Sequence, residues 1–382
     1  MNLTISSGFD SGAIEVVTVG DDAADLRIRA DVRSDAQGVL VPGEFLQWFH
    51  FRVSSGDTAG VRLRILNAAQ ATYPGGWRDY CAVASVDRRH WQRVATSYDG
   101  QVLTIELPAA PVTYVAYFEP YSWDRHLTLL ADSVARGARV RRLGSSLQGR
   151  DMDALTAGSG PRPVWIIARQ HPGETMAEWF VEGLLQRLLD PADPVARELL
   201  TMATFHIVPN MNPDGSVLGN LRTNAAGANL NREWLAPSAE RSPEVLAVRD
   251  AMHTSGCAAF LDIHGDENLP YVFAAGCEML PGFSERQAAE QAAFSADFVA
   301  ASPDFQTQHG YAASKYKDDV LKLASKYIGH TFGCLSLTLE MPFKDNANAP
   351  DAINGWSAAR SARLGADILE PLRQHLLRTS AP

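Results

Sequence analysis

A chain of 382 residues has room for two domains and a sizeable core, and 46% hydrophobic with 20% charged residues is ordinary globular material. Its formal net charge of −10 argues against a nucleic-acid partner and weakens attraction to acidic membranes. The opening stretch "MNLTISSGFDSGAIEV" has no basic region followed by an apolar one, and no segment approaches the roughly 18 apolar residues of a membrane helix, so a soluble, unexported, cytoplasmic protein with no membrane partner is expected.

The first third reads as β structure. The runs "AIEVVTVG", "DLRIRADV", "FLQWFHFRV", "GVRLRILNA", "WQRVATSYDG" and "QVLTIEL" are rich in β-branched and aromatic residues, and several alternate apolar with polar between Gly, Asp, Asn or Pro breaks. That spacing predicts an antiparallel β-sandwich over residues 1–120, with "FEPYSWDRH", 118 to 126, as the joint. Beyond it, strand-like and helical patterns alternate: "PVWIIA", "EWFVEGLLQRLL", "TFHIVPN", "SPEVLAVRDAMHTSG", "AAFLDIHG". Residues 121–382 should therefore form an α/β domain, a mixed, mostly parallel sheet with helices on both faces. Cys81, Cys257, Cys277 and Cys334 show no CxxC spacing and read as reduced core thiols.

Ligands of open α/β sheets gather at the carboxyl ends of the strands, and the chemically capable residues collect there. His171 follows "PVWIIA", His264 ends "AFLDIH", "NMNPDG" ends "FHIV", and Glu340 sits in "CLSLTLEMPF". Of the other histidines, His206 reads as a core residue, and His90, His126 and His375 lie in polar or exposed contexts. In "HPGE" Pro172 and Gly173 bend the chain between His171 and Glu174. A turn histidine and a helix-capping glutamate explain that as well as a metal does. Two histidines and one carboxylate, with a fourth position open, are the donors of a catalytic zinc site. "HGDE" gives His264 and Glu267 the same spacing, so the residues alone leave two carboxylates open.

The series "HPGE", "NMNPDG", "GNLRTNAAGANLNREW", "DIHG" and "LTLEMPF" resembles the zinc carboxypeptidases over residues 120 to 345, and within them a bacterial-type member of the cytosolic carboxypeptidase subfamily, which carries a β-sandwich in front. The resemblance implies one Zn2+ per chain on His171, Glu174 and His264, with Glu267 left a supporting residue. It implies that Asn231 and Arg232 hold the terminal carboxylate of a peptide or protein substrate, for which a planar guanidinium fork is suited. It further implies that Arg222 polarises the scissile carbonyl and that Glu340 is the general base toward a zinc-bound water. By alternation alone, Glu340 in "SLTLE" fits an exposed strand residue equally well.

Where digestive members of the family have an Asp two residues before the carboxylate-binding Asn, this chain has Asn229, a neutral partner for a zinc histidine. Tyr311, Tyr316 and Tyr327 all qualify as the substrate-capping tyrosine. Cytosolic members act on acidic C-terminal residues, which need positive charge in the pocket. "YKDDVLKLASKYIG", 316 to 329, offers Lys317, Lys322 and Lys326, of which Lys322 and Lys326 share a helical face. An ordinary Asp318–Lys322 ion pair is the plainer account of that spacing. Two other functions fit the same features: a zinc amidohydrolase acting on small acylated amino acids, and a non-catalytic peptide-binding protein. The completeness of the residue set favours an enzyme.

Overall fold

The computed structural model describes residues 3–55, 60–312, 315 and 320–379. Besides a separate two-stranded antiparallel ribbon, Val32–Ser34 with Leu40–Pro42, residues up to Ala116 form two five-stranded sheets. One runs in the order Thr4–Ser6, His50–Ser54, Val112–Ala116, Val83–Ser85, Gln92–Arg93, and the other in the order Thr96–Tyr98, Leu103–Leu107, Val61–Ile65, Ala23–Arg27, Glu15–Val19. Pairing is antiparallel except between Ala23–Arg27 and Val61–Ile65. "VRLRI" shows why the strands settle as they do: Val61, Leu63 and Ile65 are buried, while Arg62 and Arg64 point out and pair across strands with Glu106 and Asp25. Such exposed pairs contribute little energy, so the buried face sets the register. "WQRVATSYDG" proves to be two strands, one in each sheet, with the chain crossing between them.

The rest of the chain builds a seven-stranded sheet in the order Arg139–Ser145, Asp151–Gly158, Ala203–Val208, Arg162–Ala168, Ala259–Asp266, Leu335–Pro342, Phe273–Ala275. The four central strands are parallel and both edges are antiparallel, a more even mixture than the alternation of strand and helix patterns implied. Helices cover both faces. Val164 and Ile166 face a core shared with the helix Met176–Leu188, whereas Trp165 and Ile167 face a second core with the helices Pro243–Ser255 and Ala324–Phe332. The first of these cores continues into the β-sandwich, where Tyr117 stacks on Phe343 with centroids 4.5 Å apart. Of the described residues, no helix is long and apolar enough to cross a membrane.

Several local expectations need correction. His126 and His375 are buried, not exposed. His126 lies in the helix Trp123–Ala135, which begins inside the predicted joint, and its Nδ1 is 2.6 Å from Glu178. Lys322 and Lys326 do not share a helix: Lys322 ends a short 3-10 turn, Leu323 is extended, and Lys326 belongs to Ala324–Phe332. Tyr316, Lys317 and Asp318 lie outside the described residues.

The first turn of the helix Pro243–Ser255 carries Glu244, fully buried, with Asn224 Nδ2 donating to it at 3.1 Å. Burial raises its carboxyl from 4.5 to about 7. The native state therefore keeps a proton that the unfolded chain releases, and stability falls as pH rises from about 4.5 to about 7. Glu244→Gln should match the parent in chemical denaturation at pH 4.5 and exceed it by roughly 2–3 kcal/mol at pH 8. A difference independent of pH would show that this carboxyl is not held neutral.

Candidate metal centre

The strand Arg162–Ala168 is followed by Arg169, a non-glycine residue at φ 60°. Its buried guanidinium compensates that backbone by donating to Pro172 O (2.9 Å), Tyr121 O (2.9 Å) and Glu178 Oε2 (2.7 Å). The turn so formed swings His171 and Glu174 over the carboxyl end of the sheet. Gly173 suits the close approach there, because a Cβ would lie 3.0 Å from Leu221 Cα and O and that backbone would have to give by a few tenths of an ångström. His264 comes from the neighbouring strand Ala259–Asp266, directly across from Glu340 in Leu335–Pro342.

His171, Glu174 and His264 form a buried cluster whose donor atoms all lie within 4.8 Å of one another. Glu174 Oε1 is 2.7 Å from His171 Nδ1, Glu174 Oε2 is 2.7 Å from His264 Nδ1, and the two Nδ1 atoms are 3.2 Å apart. Burial, then the charge of Arg222, lowers His171 to about 3 and keeps it neutral. Burial opposes charge on His264 as well, but Asp262 and Glu174 outweigh it and raise the imidazole well above its usual range. Glu174, although buried, is held ionised by the two histidines. Two imidazole nitrogens and a carboxylate oxygen converging on one point fit zinc.

One cleft is lined by these three residues together with Arg222, Asn231, Arg232, Lys326 and Glu340; Lys322 is not among its lining residues. Arg222 Nη1 is 4.0 Å from Glu174 Oε1. Asn231 spans His264 Nε2 (3.3 Å) and the backbone N–H of Ala324 (2.9 Å), and its carbonyl accepts from Arg232 (2.6 Å). Burial raises Glu340 to about 8, and Glu174 and Asp266 push the same way against His264. Its Oε1 is 3.1 Å from the Tyr311 hydroxyl, whose single proton has a closer acceptor in Asp266 Oδ2 at 2.5 Å, and its Oε2 has no hydrogen-bond partner among the described residues. Glu267 is outside the donor cluster. Its carboxyl is buried and raised by desolvation, then by Glu174. Tyr327 instead meets His253.

Asn229 Oδ1 lies 3.0 Å from His171 Nε2, while the second imidazole has a charged partner, Asp262 Oδ1, 2.9 Å from His264 Nε2. Asp262 was missed by the sequence reading. An acid two residues before His264 in the apolar run "AFLDIH" was the available signal, since such a group is buried only with a partner. Gln170 holds Asp262 in turn, donating to both its oxygens at 2.9 and 2.8 Å. Tyr73, which reaches the cleft from the β-sandwich, had no signal at all.

Comparison with known proteins gives the following. Residues 5–118 match the family model described as the cytosolic carboxypeptidase N-terminal domain, and residues 124–356 match that described as zinc carboxypeptidase. An uncharacterized protein of Zymomonas mobilis is 46% identical over 98% of this chain and 97% of its own length. Cytosolic carboxypeptidase 4 of Mus musculus is 28% identical over 72% of this chain, which spans 29% of the mouse protein. Among solved structures, a metallo-carboxypeptidase from Burkholderia cenocepacia is 59% identical with a TM-score of 0.94, covering 98% of this chain and 100% of that one. A metallo-carboxypeptidase from Pseudomonas aeruginosa, in complex with (2-guanidinoethylmercapto)succinic acid, is 44% identical with a TM-score of 0.92, at 98% and 100% coverage.

Carboxylates behind metal-binding histidines typically change metal affinity by about 10–100-fold. Asp262→Asn should therefore weaken zinc binding by about that factor, read by competition with a chromophoric chelator, with the circular dichroism spectrum unchanged. Unaltered affinity would show that Asp262 does not act on the metal through His264.

Proposed function

The chain belongs to the zinc carboxypeptidase family, and from that premise we propose that it removes the C-terminal residue of a peptide or protein, with one zinc ion on His171, Glu174 and His264 and with Glu340 as general base. The observation that carries this reading is the convergence of the three donors, two arginines and a buried carboxyl on one cleft. Bound at the cluster, zinc supplies a Lewis acid that polarises a carbonyl and lowers the pKa of water. Glu340 Oε2 takes a proton from the attacking water and returns it to the departing amine nitrogen. Its ionised form, the one that accepts a proton, is favoured by positive charge at the neighbouring cluster. Arg222 steadies the negative charge that develops on the scissile carbonyl oxygen, while Asn231 and the fork of Arg232 hold the terminal carboxylate. Of the three candidate tyrosines, Tyr311 is supported as the cap by its place in the cleft, with its hydroxyl between Asp266 and Glu340.

The same reading keeps residues 1–120 and 121–382 as the two domains, supported by family matches that end at 118 and begin at 124. The names of the cytosolic relatives support a cytoplasmic location, a peptide or protein C-terminus is the partner, and the net charge of −10 is what argues against nucleic acid.

Preference for Glu or Asp at the removed position is supported by Lys326, a desolvated cation in the cleft. The backbone carbonyl of Lys322 accepts from Trp234 N, and this lysine has less support. A second reading rests on Glu278, which lines the same cleft, and on the guanidine group of the compound bound to the Pseudomonas relative. Both suit a basic terminal residue.

Peptides differing only in their last residue, assayed by released amino acid, test these assignments. Glu and Asp ends should be removed at least ~10-fold faster than Phe, Leu or Lys ends, and Lys326→Ala should erase the difference. Faster release of Lys or Arg would transfer selection to Glu278. For the base, Glu340→Gln should keep zinc and bind peptide yet lose about 10²-fold or more in turnover, while Glu267→Gln stays active. Normal turnover by Glu340→Gln beside an inactive Glu267→Gln would reassign the base to Glu267.

A further inference from the structure

The loop that bears Arg222 is held by the β-sandwich more than by its own domain. Asp31, which precedes the two-stranded ribbon Val32–Ser34/Leu40–Pro42 of the sandwich domain, is only 2% exposed, and its carboxylate accepts four hydrogen bonds from three consecutive residues of that loop. The donors are Leu221 N at 2.6 Å and Arg222 N, Thr223 N and Thr223 Oγ1 at 2.9 Å. Successive backbone N–H groups turned on one point form a nest for an anion, and here the anion is a side chain of the other domain. The surrounding contacts repeat the theme. Asn220 pairs with both the N–H and the C=O of Val32 at 2.8 and 2.9 Å, as a strand neighbour would. Ser34 N donates to Ala225 O at 2.7 Å, and Arg29 Nη2 to Leu218 O at 2.6 Å.

The other end of Arg222 meets the sandwich too. Its guanidinium lies 5.5 Å from the ring centre of Tyr73 and 5.8 Å from that of Phe45, within cation–π range. Asp31 links the two ends, because its own N–H donates to Phe45 O at 2.7 Å. On the far side of the loop, Leu221 O accepts from Gly173 N at 2.9 Å, in the turn between His171 and Glu174.

We propose that the β-sandwich is a positioning element for the reaction: Asp31 fixes the backbone at 221–223, and Tyr73 with Phe45 aims the guanidinium, so that Arg222 stands where the carbonyl charge develops. The proposal rests on the role given to Arg222 above. Mere attachment of the two domains does not explain the arrangement, since burying a carboxylate is costly and apolar packing would join domains without it. All four hydrogen bonds of the Asp31 carboxylate converge on the segment that carries one cleft arginine. A positioning residue acts through its client, so loss of Asp31 should matter only while Arg222 is present.

The test is a double-mutant cycle in the full-length zinc-loaded protein. Asp31→Asn puts an amide N–H2 against backbone donors, and should lower kcat by ~10-fold or more with KM changed less than about twofold, because a group needed only in the transition state has shifted. In an Arg222→Gln background the same change should cost nothing further. Additive losses would overturn the proposal. Tyr73→Leu in both backgrounds repeats the cycle at the other end of the arginine and serves if Asp31→Asn fails to fold. Hydrogen exchange gives a reading that needs no turnover. In Asp31→Asn the amides of Leu221, Arg222 and Thr223 should lose protection while those of Ala259–Asp266 keep theirs. Retained protection at 221–223 would overturn the proposal even if the parent released no terminal residue, an outcome that would instead remove the carboxypeptidase reading.

Discussion

One register pairing holds the chemistry together: His264 stands opposite Glu340 where the parallel strands Ala259–Asp266 and Leu335–Pro342 run side by side. Both strands are buried along their whole length, so neither has a solvent face to which a residue can be moved cheaply. A slip of one position would turn His264 and Glu340 to the other side of the sheet and drive Ile263 and Leu339 toward the cleft. The apolar side chains of both cores resist that slip together, which is how a fold held by packing keeps two polar groups in fixed relation.

That rigidity has an electrostatic cost. Glu174, Asp262, Glu267 and Glu340 are all buried around two imidazoles, with two arginines in the same cleft. The protonation states show how the protein alone shares the excess: Glu174 stays ionised between the histidines, His264 takes a proton, and Glu340 and Glu267 are pushed toward neutrality. A divalent cation at the donor cluster would take the place of the proton on His264, leave Glu174 ionised and favour the ionised forms of Glu340 and Glu267. The same residues that make a poor core thus make a good cation site.

How far the sequence disclosed this differs from place to place. The strand that leads to His171 and those bearing His264 and Glu340 announce themselves because they are buried on both faces and read as apolar runs. The edge strand Arg139–Ser145 is largely exposed and rich in arginine, so it carries no periodic signal. His126 looked polar because its neighbours Asp124 and Arg125 are; what buries it is Glu178, 52 residues away, and no local pattern encodes that partnership. The shared face of Lys322 and Lys326 assumed one helix, and an extended Leu323 breaks it. The reach of the β-sandwich into the cleft was likewise invisible, because Asp31 and Tyr73 gain their meaning only from residues about 190 and 150 positions on.

The asparagines of "NMNPDG" and "NLRTNAAGANLNRE" have a physical explanation once the loop is seen. Between Val208 and Pro243 the backbone has no strand and only short helical turns, yet much of it is buried, so its N–H and C=O groups need partners from side chains. An amide offers both a donor and an acceptor without charge. Asn212 accepts from Gly215 N and donates to Gln170 O, and Asn220 does the same for Val32. Asn224 accepts from Ala226 and Ala228 while donating to Arg241 O. In a region already crowded with carboxylates, an aspartate at any of these positions would add charge and lose the donor. Asn229 obeys the same logic beside His171, where its oxygen still orients the ring. Of the two imidazoles in the donor cluster, His264 thus has a carboxylate behind it, Asp262, and His171 a neutral amide, Asn229, so the charge behind the cluster is carried on one side only.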